Sequence, residues 1–153
     1  MIKKLDLQNK SILMDLFDVQ KASYLVEAKL INFFEIPPLV ESIEDLKNSM
    51  EVFYGYFEEE ELAGAISCTE EGEELTIGRL VVDPKHFRKG IAQKLLCAIE
   101  ENHPEIRVYK VSTGKENGPA KNLYLKNGFK TVNQVEASPG LFLSIFEKRK
   151  VEQ

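Results

Sequence analysis

Arg88, Lys89 and Gly90 stand between an apolar run, Leu80-Val81-Val82, and an amphipathic stretch that opens Ile91-Ala92-Gln93. A strand, a basic turn with a glycine and then a helix start place backbone N–H groups beside two cations. That is a way to hold a phosphate without a metal. Gly90 and the small Ala92 allow a ligand to approach the backbone closely. Two better-known phosphate loops are absent: Gly-x4-Gly-Lys-Ser/Thr, and Gly-x-Gly-x-x-Gly after a strand. Lys85 reads as an ordinary solubilising residue, and His86 and His103 as surface residues. Further along, Asn117 and Tyr124 are two helical turns apart and so share a helix face.

These residues need elements to carry them. Apolar positions recur at helical spacing from residue 8 to about residue 34, with Asn9 or Ser11 as a cap and Pro37-Pro38 as a stop. Ser42 and Asp45 have the form of a capping box, which predicts a short helix to about Met50. Residues 52–57, 62–68 and 75–82 are strand-like and separated by acidic turns, a pattern of antiparallel hairpins. A helix over 90–102 buries Ile91, Leu95, Ala98 and Ile99 and stops at Asn102-His103-Pro104. A strand at 106–112 follows, then a helix capped by Asn117 and ended by Asn127-Gly128. Strands at 129–135 and 141–146 close the chain across Ser138-Pro139-Gly140, and residues 1–7 form a weak opening strand. The expected fold is α+β: one domain, with a mixed, mostly antiparallel twisted sheet flanked by helices.

The chain has 153 residues, 43% hydrophobic and 29% charged, enough for one core. No run approaches the roughly 18 apolar residues of a membrane span. A net charge of −5 argues against nucleic-acid binding and makes the cluster at Lys85, Arg88 and Lys89 stand out. The opening residues lack the apolar core of a signal peptide. Cys68 and Cys97 both sit in apolar patterns and read as two buried thiols, so a reducing cytoplasm is the expected compartment.

The turn Phe87-x-x-Gly90-x-Ala92 resembles motif A of the GNAT N-acetyltransferases, usually Arg/Gln-x-x-Gly-x-Gly/Ala. Asn117-x-x-Ala120-x-x-Leu123-Tyr124-x-Lys126-x-Gly128-Phe129 resembles that superfamily's motif B, in the right order and at the right separation. The likeness is good from about Val52 to Phe146 and weaker before. Phe87 departs from the pattern, and Arg88 next to it is the candidate replacement for the missing side-chain contact.

The resemblance implies a single domain over 1–153, in which 1–50 supply acceptor-side helices and 51–147 the coenzyme-binding core. It implies acetyl-CoA as co-substrate, no metal, and transfer of an acetyl group to a primary amine of a small molecule or peptide. Coenzyme contacts fall on Leu80, Val81, Val82, Phe87, Arg88, Lys89, Gly90, Ile91, Ala92, Gln93, Asn117, Ala120 and Tyr124. The phenol, of ordinary pKa ~10, is close enough to a thiol's ~8.5 to protonate a departing thiolate, so Tyr124 is the candidate general acid. As a plain core aromatic beside Leu123 it would need no such role.

The base is open between Glu58, Glu73, Glu74 and a water chain. Arg79 interrupts an apolar strand and either pairs with a buried Glu or grips an acceptor carboxylate. Tyr24 and Glu27 are candidate acceptor contacts. The same fold could instead hold acetyl-CoA without turnover, as a sensor or interaction module. The molecule is expected as a monomer, or as a homodimer through an exposed C-terminal edge strand.

Overall fold

Local capping signals decide where the helices begin. Asn9 accepts from the N–H groups of Ser11 and Ile12 and starts α1, Lys10–Ile31. Asn32, in the left-handed conformation at φ 54°, ends it before the prolines. Those prolines then open their own turn, α2 (Pro37–Val40), because a proline is tolerated at the first helical position. Ser42 and Asp45 form the expected box at α3 (Ile43–Lys47), which is shorter than the sequence suggests. The computed structural model describes residues 1–150.

Seven strands follow the order β1-β2-β3-β4-β5-β7-β6. They are β1 (Ile2–Lys4), β2 (Val52–Glu58), β3 (Glu61–Glu71), β4 (Glu74–Val82), β5 (Val108–Gly114), β6 (Lys130–Ser138) and β7 (Leu141–Arg149). Every neighbouring pair is antiparallel except β4 and β5, which are joined by α4 (Ile91–Asn102) and run parallel. Helix α5 (Gly118–Lys126) lies between β5 and β6. The mixed, mostly antiparallel sheet flanked by helices is the architecture anticipated from the sequence.

Two cores sandwich the sheet. On one face Leu13, Leu16 and Val19 of α1 pack with Leu46, Phe53, Ala65 and Val81. On the other, Ile91, Leu95, Leu96 and Ile99 of α4 pack on Ile66, Leu75, Ile77 and Val111, joined by Tyr124, Phe129 and Phe146.

Two irregularities in β4 shape the site. Opposite β3 the register jumps from Ser67↔Arg79 to Cys68↔Ile77, so Gly78 is an extra, bulged residue. One added residue reverses the in/out alternation. Leu75 and Ile77 face α4, and beyond the bulge it is Leu80 and Val82 that do so, while Arg79 and Val81 turn toward α1. A side chain at Gly78 would displace the Glu51 carboxylate, whose Oε1 occupies the space of a Cβ there. Second, the parallel β4–β5 pairing stops at Ile77↔Val111, and the strands part beyond it. The sheet is therefore split at its centre.

Candidate active site

The split opens a cavity of about 610 Å³ bounded by α1, α2, β4, β5 and the starts of α4 and α5. A smaller hollow of about 300 Å³ beside Lys115 and Phe142 holds none of the residues singled out above.

One end of the cavity is the glycine turn. Arg88 (φ 66°) and Gly90 (φ 74°) are both left-handed, and such alternation curls successive N–H groups into a concave cradle. Gly90 is the N-cap of α4 and has no side chain to cap it. Among the described residues, the backbone N–H groups of 88–93 have no acceptor within the protein. Phe87, Arg88 and Ala92 line the cavity here.

The neighbouring cations are arranged otherwise than expected. Lys89 turns away and donates to Glu58 at 2.9 Å. Lys85 pairs with Glu61. His86 is buried rather than on the surface, with Nδ1 2.8 Å from Glu58 and 3.0 Å from Lys89; its Nε2 makes no hydrogen bond among the described residues and has Glu61 Oε1 3.6 Å away. These contacts brace the turn from outside, so Arg88 is the one of the turn's cations that lines the cavity. His103, also expected on the surface, is half-buried between Glu70 and the Tyr54 hydroxyl, 3.1 Å away.

Along the cavity wall, Leu80 and Val82 of β4 present the strand edge that β5 has left. The Val82 N–H is already used, donating to Ser23 Oγ at 3.2 Å. Alternation puts the Leu80 N–H on the same edge, where no β5 residue pairs with it. Val81 does not reach the cavity; the Gly78 bulge sends it into the α1 core. Ile91 packs on the sheet, and the Gln93 side chain exchanges two hydrogen bonds with Asn127, at 2.6 and 2.8 Å.

Tyr124 is a core aromatic that also borders the cavity. Its ring is a core element, 5.7 Å from Phe129 and 5.5 Å from Phe146 between centroids. It also lines the cavity, and its hydroxyl has no protein partner among the described residues. Burial first, and then the charge of Glu27, push this phenol well above its usual value. Tyr24 is raised likewise, by burial and then by Glu27, with Tyr124 adding to the effect. It keeps part of its surface open to the cavity while its phenol is enclosed.

Asn117 caps α5 through its Oδ1, 3.2 Å from the Ala120 N–H. Its Nδ2 donates to Glu27 Oε1 at 2.7 Å, and Thr113 Oγ1 donates to the same oxygen at 3.1 Å. Neither Thr113 nor Ser23 stood out in the sequence, where a Ser or Thr outside any motif carries no signal, and only the fold brings each to the site. Glu27 is the carboxylate in this part of the cavity. Glu58 is tied to Lys89 and His86, Glu73 to Arg107 and Glu74 to Lys110, and none of the three lines it.

Arg79 reaches the cavity, yet every nitrogen of its guanidinium is engaged. Nη1 meets Glu41 and donates to Gln20 at 2.7 Å, while Nε and Nη2 lie 3.1 and 3.0 Å from Glu51 Oε2. Burial disfavours this cation, but the hydrogen bond to Glu41 and the charges of Glu51 and Glu41 outweigh it and raise its pKa. For Glu51 burial also opposes ionisation; hydrogen bonds from Ser67 and Ser49 and the Arg79 charge win and hold the carboxyl below its usual range.

Comparison with known proteins matches the site to a family. Residues 49–131 fit the acetyltransferase (GNAT) domain. A curated relative from Bacillus subtilis (strain 168), UPF0157 protein YqkA, is 39% identical over 155 residues, covering 99% of this chain and 45% of its own length. The chain thus spans under half of that relative. Among solved structures, PaiA N-acetyltransferase from Thermoplasma acidophilum, in complex with coenzyme A, superposes with TM-score 0.74 at 21% identity, covering 98% of both chains. Ribosomal-protein-S18-alanine N-acetyltransferase from Escherichia coli superposes with TM-score 0.77 at 14% identity, covering 97% of this chain and 92% of its own. The matched residues contain the glycine turn, the parting of β4 from β5 and the whole of the Tyr124 helix, and the chain belongs to the GNAT acetyltransferase family.

Proposed function

We propose that this protein is an N-acetyltransferase that moves an acetyl group from acetyl-CoA to a primary amine of a small molecule or peptide by direct attack. The observation that carries the reading is the pairing of two unused sets of donors on one cavity. The N–H groups of 88–93 lack acceptors, and so does the Tyr124 hydroxyl. A cradle of free amides beside Arg88 fits a diphosphate. The bared edge of β4 at Leu80 fits an extended amide-bearing arm, which would add to the sheet as a strand does. Backbone does this holding, so Phe87 in place of a polar side chain is no obstacle; Gly90, Ile91 and Gln93 contribute through their amides, and Ala92 and Ala120 through their small size. Residues 51–147 supply this part and 1–50 the acceptor side.

Acetyl-CoA brings a thioester, an acyl group already activated toward an amine. The chain's own part is to orient and to move protons. Tyr124, kept neutral by burial, gives its proton to the departing thiolate. Ser23 fixes the end of β4 through the Val82 N–H, and Asn117 fixes the start of α5. Two free thiols, Cys68 and Cys97, suit the cytoplasm as the compartment.

Calorimetry with coenzyme A, together with an assay of thiol release from acetyl-CoA over a panel of primary amines, tests this. The reading predicts micromolar binding and amine-dependent release. Binding without release for any amine would leave a coenzyme-binding module; absence of binding would remove the coenzyme altogether.

A further inference from the structure

The acceptor end of the cavity has an electrostatic and chemical character of its own. Two charged residues line it: Arg79, which is paired behind the wall with Glu41 and Glu51, and Glu27, which stands apart from that cluster. Arg79 is held by Glu41, Glu51 and Gln20 through all its nitrogens, and two of those partners carry negative charge. An incoming carboxylate would find few donors there and two like charges beside them. Glu27 is the opposite case. Its Oε1 accepts from Asn117 and Thr113, both uncharged, and its Oε2 has no partner among the described residues. It lines the same cavity as Tyr24 and Tyr124, and its charge helps to raise both phenols. Val26, Leu30, Ile31, Ile36, Pro37 and Pro38 give the α1 and α2 side of the cavity a largely apolar wall.

From this geometry, and resting on the acetyltransferase reading above, we infer that Glu27 receives the acceptor's ammonium group and takes its proton, and that the acceptor is a primary amine with an apolar body and no carboxylate. The protons balance. Glu27 Oε2 takes one from the ammonium and passes it to solvent. The freed nitrogen forms the C–N bond as the C–S bond breaks. The thiolate leaves with the Tyr124 proton, and the phenolate recovers one from the acylated nitrogen. Products are the N-acetyl amide, coenzyme A and one proton. Glu27 is thus a catalytic residue for the acceptor half of the reaction, and the Arg79 cluster a barrier against amino-acid carboxylates.

The test uses acetyl-CoA and the whole chain with three matched acceptors: 2-phenylethylamine, phenylalaninamide and phenylalanine. The first two should release thiol with kcat/KM at least about 100-fold above the third. The amide controls for the branch at the α-carbon. Glu27→Gln should still accept from Asn117 and Thr113 and keep its melting temperature. It should lose about 100-fold in kcat/KM for the amines at neutral pH, leave coenzyme affinity unchanged, and recover as pH rises and solvent deprotonates the amine. Phenylalanine turned over as well as the amines, or a Glu27→Gln loss independent of pH, would overturn the inference and leave the acetyltransferase reading standing. Turnover of spermidine but not of the aromatic amines would overturn the apolar requirement. No thiol release from any acceptor would instead overturn the underlying reading, and this inference with it.

Discussion

Asn117 Nδ2 and Glu27 Oε1 lie 2.7 Å apart although the residues are separated by 90 positions in sequence. The bond joins α1, which walls the cavity, to the cap of the helix that carries Tyr124. One asparagine therefore has two duties. Its oxygen satisfies the N–H of Ala120, and its amide orients a carboxylate that pairs with no cation among the described residues.

Those duties separate in one substitution. Asn117→Asp keeps the capping oxygen but replaces the donor with a second carboxylate oxygen facing Glu27. The variant should lose about 2 kcal/mol at neutral pH from like-charge contact. It should regain part of this as pH falls and one of the pair binds a proton, a direction opposite to ordinary acid denaturation. Melting curves between about pH 5 and 8 would read it. A melting temperature that falls monotonically with acidification would show that the contact carries no charge coupling.

Tyr124→Phe should lower kcat about 100-fold or more while leaving coenzyme affinity within a few-fold of wild type. The ring contacts to Phe129 and Phe146 do not involve the hydroxyl, so stability should hardly change. Because burial holds the phenol protonated well past its usual value, the ratio of wild-type to variant kcat should be flat from about pH 7 to 9. A ratio that collapses on the alkaline side of this window would mean that some other group is the acid.

The parts of this picture that were legible in sequence are the local ones. Asn9, Ser42 with Asp45, and Asn117 cap helices where their types and spacing say, because a cap is settled within four residues. Strand β5 begins two residues later than its apolar run, since Arg107 and Val108 both bond to the Glu73 carbonyl before the parallel ladder starts. Side-chain partners over long separations are another matter. Lys89 looked like a phosphate ligand and is taken by Glu58; Glu27, a candidate acceptor contact, does line the cavity, but its bonds to Asn117 and Thr113 had no signal in the spacing. Nothing in the periodicity of β4 announces that Gly78 is bulged, yet that one residue decides that Arg79 and Val81 face α1 while Leu80 faces the cleft.

The Arg79 cluster makes an acid-stability prediction. Glu51 has a depressed folded-state pKa, so its contribution is present above the unfolded value near pH 4.5 and is lost as pH falls through the folded one. Glu51→Gln should cost about 2 kcal/mol at neutral pH and show a flatter stability profile below about pH 4.5 than the wild type. Equilibrium urea unfolding at several pH values would measure both. Parallel profiles for the two proteins would mean that the carboxylate is not held by Arg79, Ser49 and Ser67 in solution.

The two thiols should behave differently, against the expectation that both are buried. Cys97 is exposed on α4, whereas Cys68 is buried in β3 and its thiol is pushed up to about 11, by burial first and then by Glu70. A disulfide reagent at neutral pH should titrate one thiol rapidly in the native protein and the second only on unfolding. Two fast thiols in folded protein would contradict the packing of β3.

Gly90→Ala separates the cradle from the fold. A methyl group there meets nothing within 4 Å, so the cost is confined to holding a residue with a side chain at φ 74°. That strain is about 1 kcal/mol, a shift of a few degrees in melting temperature. Relief of the strain lies in moving φ to negative values, which swings the N–H groups of 88–93 out of their common concavity. Coenzyme A affinity should therefore fall at least tenfold in calorimetry while the protein stays folded. Unchanged affinity alongside the expected loss of stability would mean that these amides do not hold the diphosphate.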